Sequence, residues 1–258
     1  MLTLIGDILN WIAAGVVFPL MLLPLAARVS ETSRSTLVWF ALVGALVCAA
    51  ALFARLAPVL SITPPLKTVI IFATIIAALM ISVAATGGVG RMIARLEPIF
   101  AAITRITART VMWLLLAMAF IQFGVVVLRY VFGINYIFMQ ESITYMHGAV
   151  FLLAGGYALL THDHVRVDIF YRGASEKKKA LIDFLGTYLL LFPVCLVLLW
   201  TASPYVASSW AVGEGSTETS GIQAVFLLKS LIPAFAILLA MAGFNIAARA
   251  GGVLKGSP

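Results

Sequence analysis

Charge is the scarcest commodity in this chain. Of 258 residues only 10% are Asp, Glu, Lys or Arg, against 63% hydrophobic, and the mean hydropathy is +1.11. A soluble domain carries about a quarter charged residues. A water-soluble globular fold is therefore excluded, and the unit of reading becomes an apolar span of roughly 20 residues. Cysteine is nearly absent: Cys48 and Cys195 both fall within apolar runs. A thiol there behaves as a small hydrophobe, which argues against a disulfide or a thiolate metal site. None of the ten carboxylates lies in the middle of an apolar run. That excludes a mid-membrane proton relay or carboxylate ion site, and leaves only a site built of carbonyls and hydroxyls open. No span carries a paired acid and base or an activated nucleophile, so no enzyme is expected.

What is present is a set of long apolar runs, at about 8–27, 36–54, 67–86, 111–132, 142–160, 180–202 and 224–246. The first is not preceded by a basic region, since "MLTLIGDILNW" holds Asp7 and no Lys or Arg, so it reads as a retained span rather than a secretory leader. The net charge of +7 does not point to nucleic acid, because the basic residues come in short groups between the runs, as membrane orientation requires. With the C-terminus cytoplasmic, only Arg55, Lys67, Arg129 and Lys229 of the 17 Lys and Arg fall outside. Seven spans then put the N-terminus outside.

Residues 91–110, "RMIARLEPIFAAITRITART", are both basic and periodic. At roughly 100° per residue, Arg91, Arg95, Arg105 and Arg109 share one stripe about 80° wide. Met92, Ile93, Leu96, Ile99, Phe100, Ile103 and Ile106 occupy the other side. The pattern predicts an amphipathic helix in the inner headgroup layer, broken or kinked at Pro98, or else a linker whose arginines enforce topology. The run 203–223, "SPYVASSWAVGEGSTETSGIQ", has Glu214 and Glu218 and no basic residue, and reads as an outer loop anchored by Tyr205 and Trp210.

Polar residues inside spans are few. Gln122, His147 and Asn245 are expected to hydrogen-bond between helices. A haem held by two histidines would need a second one at membrane depth, and His162 and His164 are both in a loop. The stretch "LTHDHVRVDIFYRG" at 160–173 is the most polar in the chain. His162, Asp163, His164 and Asp168 match no closed zinc spacing and are flanked by arginines, so no metal is expected. The alternation Val165-Arg166-Val167-Asp168-Ile169 reads as an interfacial turn, with Ser175 capping the next helix and Glu176 in its first turn.

Read together, residues from about 105 to 250 resemble the small membrane subunit of tripartite ATP-independent periplasmic (TRAP) transporters, the DctQ-like family. The elements that carry the likeness are "LRYVFG" at 128–133, "QES" with Glu141, and "AGGYALLTHDHVRVDIFY", in which His164, Arg166 and Asp168 are the most specific part. Residues 1–90 are an extension beyond the four-span family pattern, so the chain resembles the family's longer variants. The fold expected is an all-α integral membrane protein of about seven transmembrane helices. Three lie in 1–90, followed by a basic interface helix at 91–110, a four-helix DctQ-like core at 111–250 and a tail at 251–258.

The resemblance implies a bacterial inner-membrane protein that is not itself a catalyst. It implies two protein partners, a large DctM-like membrane subunit and a periplasmic DctP-like solute-binding protein, together serving uptake of an organic acid. It implies no cofactor; the complex draws on a sodium or proton gradient, with the ion site in the large subunit. Carried onto this sequence, the family motif falls on Arg129, Glu141, His164, Arg166 and Asp168. Arg129 and Glu141 are expected to pair at the outer edge, and the other three to position the inner turn. A stand-alone transporter or an anchor for another complex are the competing readings.

Overall fold

The computed structural model describes residues 18–29, 88–163 and 171–255, all helix or short connection. In chain order the elements are α1 (Phe18–Met21), α2 (Leu23–Val29), α3 (Val89–Val131), α4 (Ile137–Leu160), α5 (Glu176–Gly186), a π-helical turn (Thr187–Leu191), α6 (Phe192–Val212) and α7 (Val225–Lys255). Among the described residues, four helices are long and apolar enough to cross a membrane: Gly90–Val131, Ile137–Leu160, Glu176–Val212 and Val225–Lys255. They coincide with the last four expected spans. Of the three earlier ones only residues 18–29 are described; the spans at 36–54 and 67–86 lie outside the described residues.

The basic segment 91–110 is not a separate interface helix. It is the first half of α3, a single helix of 43 residues, about 65 Å long at about 1.5 Å per residue. Pro98 sits inside it without ending it, at the cost of one N–H that Ala94 would otherwise receive. Beyond Pro98 there is no Gly or Pro until Gly124, so nothing in the chain offers the backbone a place to bend away. The outer loop also begins later than its composition suggests. Ser203 and Pro204 are helical, and α6 runs on until Gly213 adopts the left-handed conformation at φ 60°. There the Glu214 N–H reaches the Ser209 carbonyl at 3.0 Å, a Schellman-type stop.

Packing centres on α7, which touches α3, α4, α5, α6 and the N-terminal segment α2. Its inward face is built of small residues, among them the buried Ala236, Ala240, Ala242, Ala247 and Ala250. Lipid tails are as apolar as any side chain, so helices associate in a membrane through close van der Waals fit, and small residues allow it. Backbone meets backbone at Gly156 of α4, where a Cβ would lie 2.8 Å from the Leu238 carbonyl oxygen. A second cluster joins Leu20, Met21 and Leu23 to Met92, Phe100, Phe192, Cys195, Leu199 and Phe244, with Phe100 and Phe244 edge to face at 5.1 Å.

Tyr188, in the π-helical turn, stitches the N-terminal segment to this bundle. Its hydroxyl donates to the Met21 carbonyl at 2.7 Å and accepts from the Leu25 N–H at 3.0 Å. Those two groups would bond each other in an unbroken helix, so the hydroxyl stands where an i to i−4 bond would be. Pro24, lacking an N–H, has already weakened the ladder here. A side chain inserted into a helical ladder is a recognised cause of a kink, and α1 and α2 indeed part at residue 22.

Asn245 is fully buried but does not bridge helices. Its amide donates to Met241 of its own helix at 3.0 Å. His147 is exposed and stacks on Phe151 at 6.3 Å, and Gln122 is exposed. The interhelical hydrogen bonds expected of these three are therefore not formed among the described residues.

Candidate functional site

Where the N-terminal ends of α4 and α7 meet the C-terminal end of α6, the chain ties a polar knot. Glu141, in the second turn of α4, accepts a hydrogen bond from the Ile222 N–H at 2.6 Å and another from the Ser216 hydroxyl. Both donors belong to the connection 213–224. Ser216 is held in turn by its own N–H to the Ile222 carbonyl at 3.2 Å, and its hydroxyl receives the Glu218 N–H at 3.1 Å. Gly221 is packed so closely that a Cβ would lie 2.7 Å from the Glu141 carboxylate and closer still to Ser216. Only glycine fits there.

Glu214 pairs with Lys229 of α7 at 2.5 Å. The Lys229 ammonium also lies over the Tyr205 ring, 3.9 Å from its centroid, an attraction of cation to ring face. The ammonium at its side holds the Glu214 carboxyl below the usual carboxylate range. Trp210 donates its indole N–H to Ser230 at 2.7 Å and meets Phe226 edge to face at 4.6 Å. The result is an acidic loop pinned to the helix ends, with Glu218 exposed at its tip.

Arg129 does not share in this knot. It lies in the last turn of α3, exposed, and forms no ion pair among the described residues. The expected Arg129–Glu141 pair is replaced by loop-to-Glu141 hydrogen bonds. The reason is local: "LRYVFG" makes a helix stop, with Gly133 at φ 69° and the Ile134 N–H returning to Leu128 at 3.0 Å. α3 runs on past the level of Glu141, since Gly124 already faces Met139 of α4. Sequence reasoning noted Lys229 and Glu214 separately and missed their pairing; the available signal was an acid just after the αL glycine and a lysine opening the next span.

At the opposite end of the bundle, Arg249 of α7 pairs with Glu97 of α3 at 2.9 Å, and Lys255 donates to the Ala27 carbonyl. The Tyr171 hydroxyl donates to Asp183 at 2.9 Å, and Lys179 pairs with Glu176 at 3.0 Å. Ser175 occupies the N-cap of α5 as expected, but its side chain makes no capping bond.

His164, Arg166 and Asp168 lie outside the described residues. The start of their stretch is described. His162 takes φ 61°, and the Asp163 N–H bonds Ala158 at 3.0 Å while the His162 N–H bonds Leu159 at 3.3 Å. This too is a Schellman-type stop, with histidine in the position usually held by glycine. Among the described residues no group of three His, Cys, Asp or Glu is placed to hold a metal. Arg91, Arg95, Arg105 and Arg109 are all exposed along one side of α3.

The model of the family described as tripartite ATP-independent periplasmic transporters, DctQ component, matches residues 118–250, just over half of the chain. No curated protein and no solved structure matches it.

Proposed function

The chain belongs to the DctQ-component family of tripartite ATP-independent periplasmic transporters, and from that premise we propose that it is the small permease subunit of such a system in a bacterial inner membrane. It packs against a large membrane subunit and helps seat a periplasmic solute-binding protein, so that an ion gradient drives uptake of an organic acid. The C-terminus faces the cytoplasm, as the positive-inside rule requires. The single observation that carries this reading is the family match over 118–250; two features support it.

The first is an electrically quiet membrane interior. Every carboxylate of the described helices sits near an end or in a paired contact: Glu141 at the outer knot, Glu97 with Arg249, Glu176 and Asp183 in α5. Coupling to sodium or protons commonly uses ionisable or unwound elements within the span, and the lack of mid-span carboxylates in the described helices supports placing the ion and solute sites in the large subunit. The second is the outer knot, whose acidic loop is held open to the outer phase in one conformation. A pre-ordered surface binds a partner with less entropy loss than a floppy one.

The test is reconstitution. Liposomes holding this chain alone are expected to accumulate no solute, and those holding it with the large subunit and the binding protein to accumulate it. Uptake by the chain alone ends the reading. E141K, which breaks the loop's anchor, is expected to weaken the response to binding-protein concentration while leaving assembly with the large subunit intact.

A further inference from the structure

A hydroxyl or imidazole inside a span needs a hydrogen-bond partner, because lipid tails offer none. Thr104, Thr187 and Thr201 find one in their own helix, each donating to the carbonyl four residues back. Thr144 and His147 of α4 do not. Both are exposed, and neither makes a hydrogen bond or ion pair among the described residues.

At about 100° per residue, Thr144, His147 and Phe151 fall within roughly 60° of one another, opposite the buried Gly156 and Leu160. Phe151 is 72% exposed. Its ring stacks on His147 at 6.3 Å, which keeps the imidazole on this face. Further along the same stripe stand Ala154 and Ala158, small enough to let another backbone come close. The depth of the polar pair does not hang on where the membrane surface is drawn. α4 has 24 residues, about 36 Å, and the hydrocarbon layer is about 30 Å thick. Crossing takes nearly the whole helix. His147 is close to its midpoint and Thr144 one turn away, so both lie within the apolar layer. A lysine or arginine could stretch from there to a headgroup; histidine and threonine are too short.

The chain's own N-terminal extension joins the bundle elsewhere. α7 carries α4 on one flank and α6 on another. Leu20, Met21 and Leu23 bed on the α6 flank, against Phe192, Cys195 and Leu199. The apolar runs that follow, 36–54 and 67–86, contain no Asn, Gln, His, Asp or Glu, so they bring no carboxylate, amide or imidazole to this depth.

We infer that the outward face of α4 at Thr144, His147 and Phe151 is the surface on which a transmembrane helix of the large membrane subunit packs, with a side chain that hydrogen-bonds His147. This deepens the subunit reading and rests on it. Ionisable residues within spans face protein or a water-filled cavity rather than lipid, and side chains such as histidine and threonine join helices by hydrogen bonds. Phe151 supplies the apolar contact beside the polar pair, and the two alanines supply the room.

The test co-expresses the full chain with its large membrane subunit and isolates the complex, in mild detergent, through a tag on the large subunit. T144V/H147L exchanges the two polar side chains for apolar ones of similar size. It should lower the recovered small chain about threefold or more, the scale of an interhelical hydrogen bond, while H147N, which keeps a hydrogen-bonding group, should lower it less. Each variant is first shown to be monodisperse alone; where the double variant is not, H147L replaces it, with the same direction expected. A photo-activated benzophenone side chain introduced at position 151 should cross-link to the large subunit, at a peptide identified by mass spectrometry.

Undiminished recovery of T144V/H147L or H147L overturns this inference and leaves the subunit reading standing. So do cross-links from position 151 that reach only lipid, a second copy or another part of this chain. Failure of the wild-type chain to co-purify overturns the subunit reading and this inference with it.

Discussion

Replacing Tyr188 by phenylalanine removes a single oxygen and leaves the ring in place against Phe184 and Phe192, at centroid distances of 4.9 and 5.1 Å. Two hydrogen bonds disappear, to Met21 and from Leu25. Interhelical hydrogen bonds in membrane proteins average about 0.6 kcal/mol and reach about 1.7, so the gross loss is about 1–3 kcal/mol. Part of it returns, because the freed Leu25 N–H can close on the Met21 carbonyl and mend the ladder. The net cost should be about 0.5–1.5 kcal/mol. The effect should also be local: the N-terminal helix straightens and loosens its hold on the bundle, while the four long helices stay assembled.

Two measurements check this. Denaturant unfolding of the full chain in detergent should show the modest net loss. Hydrogen exchange should show faster exchange across residues 18–29 in Y188F, with α4 and α7 unchanged. Y188A, which also empties the ring's site between Phe184 and Phe192, should cost about 2 kcal/mol more through the cavity it leaves. Unchanged exchange over 18–29, or a Y188F loss as large as that of Y188A, would show that the hydroxyl is not the fastening.

Three further outcomes follow from other parts of the bundle. Gly156→Leu should force α4 from the Leu238 backbone and cost about 3 kcal/mol or more, read as loss of the monodisperse peak in size-exclusion chromatography; a stable, monodisperse variant would deny the close approach. Gly133→Val places a β-branched residue at φ 69° and should cost about 1–2 kcal/mol, visible as a lower Tm, whereas Gly133→Asn should cost less. The Glu214 carboxyl is held below its ordinary value of 4.5 by the Lys229 ammonium. A depressed folded-state value means the pair's stabilisation is present above the ordinary value and is lost as pH falls through the depressed one. Protease protection of 213–224 should therefore persist as pH is lowered to about 4.5 and fail only below it; loosening already at pH 6 would contradict the pairing.

Much of the architecture was legible in the residues. The last four spans fall where the apolar runs are, because a run of uncharged residues of bilayer length has no other place to be stable. The arginines of 91–110 were correctly seen to share a stripe. Where they go was not legible. A 3.6-residue period is the same for a helix lying in the headgroups and for one continuing into a span, and the absence of Gly or Pro between 99 and 123 settles it only once the helix is known to be continuous. Glu141 was singled out by its motif, but with the wrong partner. Sequence adjacency favoured Arg129, twelve positions away; the real donors, Ser216 and the Ile222 N–H, are more than seventy positions distant and reach it through the return of α7.

What the amino-acid sequence determined by itself is membership of the membrane and of a transporter-component family, and the grouping of its cations between apolar runs. Those follow from the composition of each segment, since hydropathy and net charge belong to a stretch of chain regardless of its neighbours. What only the tertiary structure decided is the set of contacts between segments: the Tyr188 hydroxyl inside another helix's ladder and the loop on Glu141. Those depend on how far each helix slides along the next, and that offset is set by where Gly156 and the alanines of α7 let backbones meet.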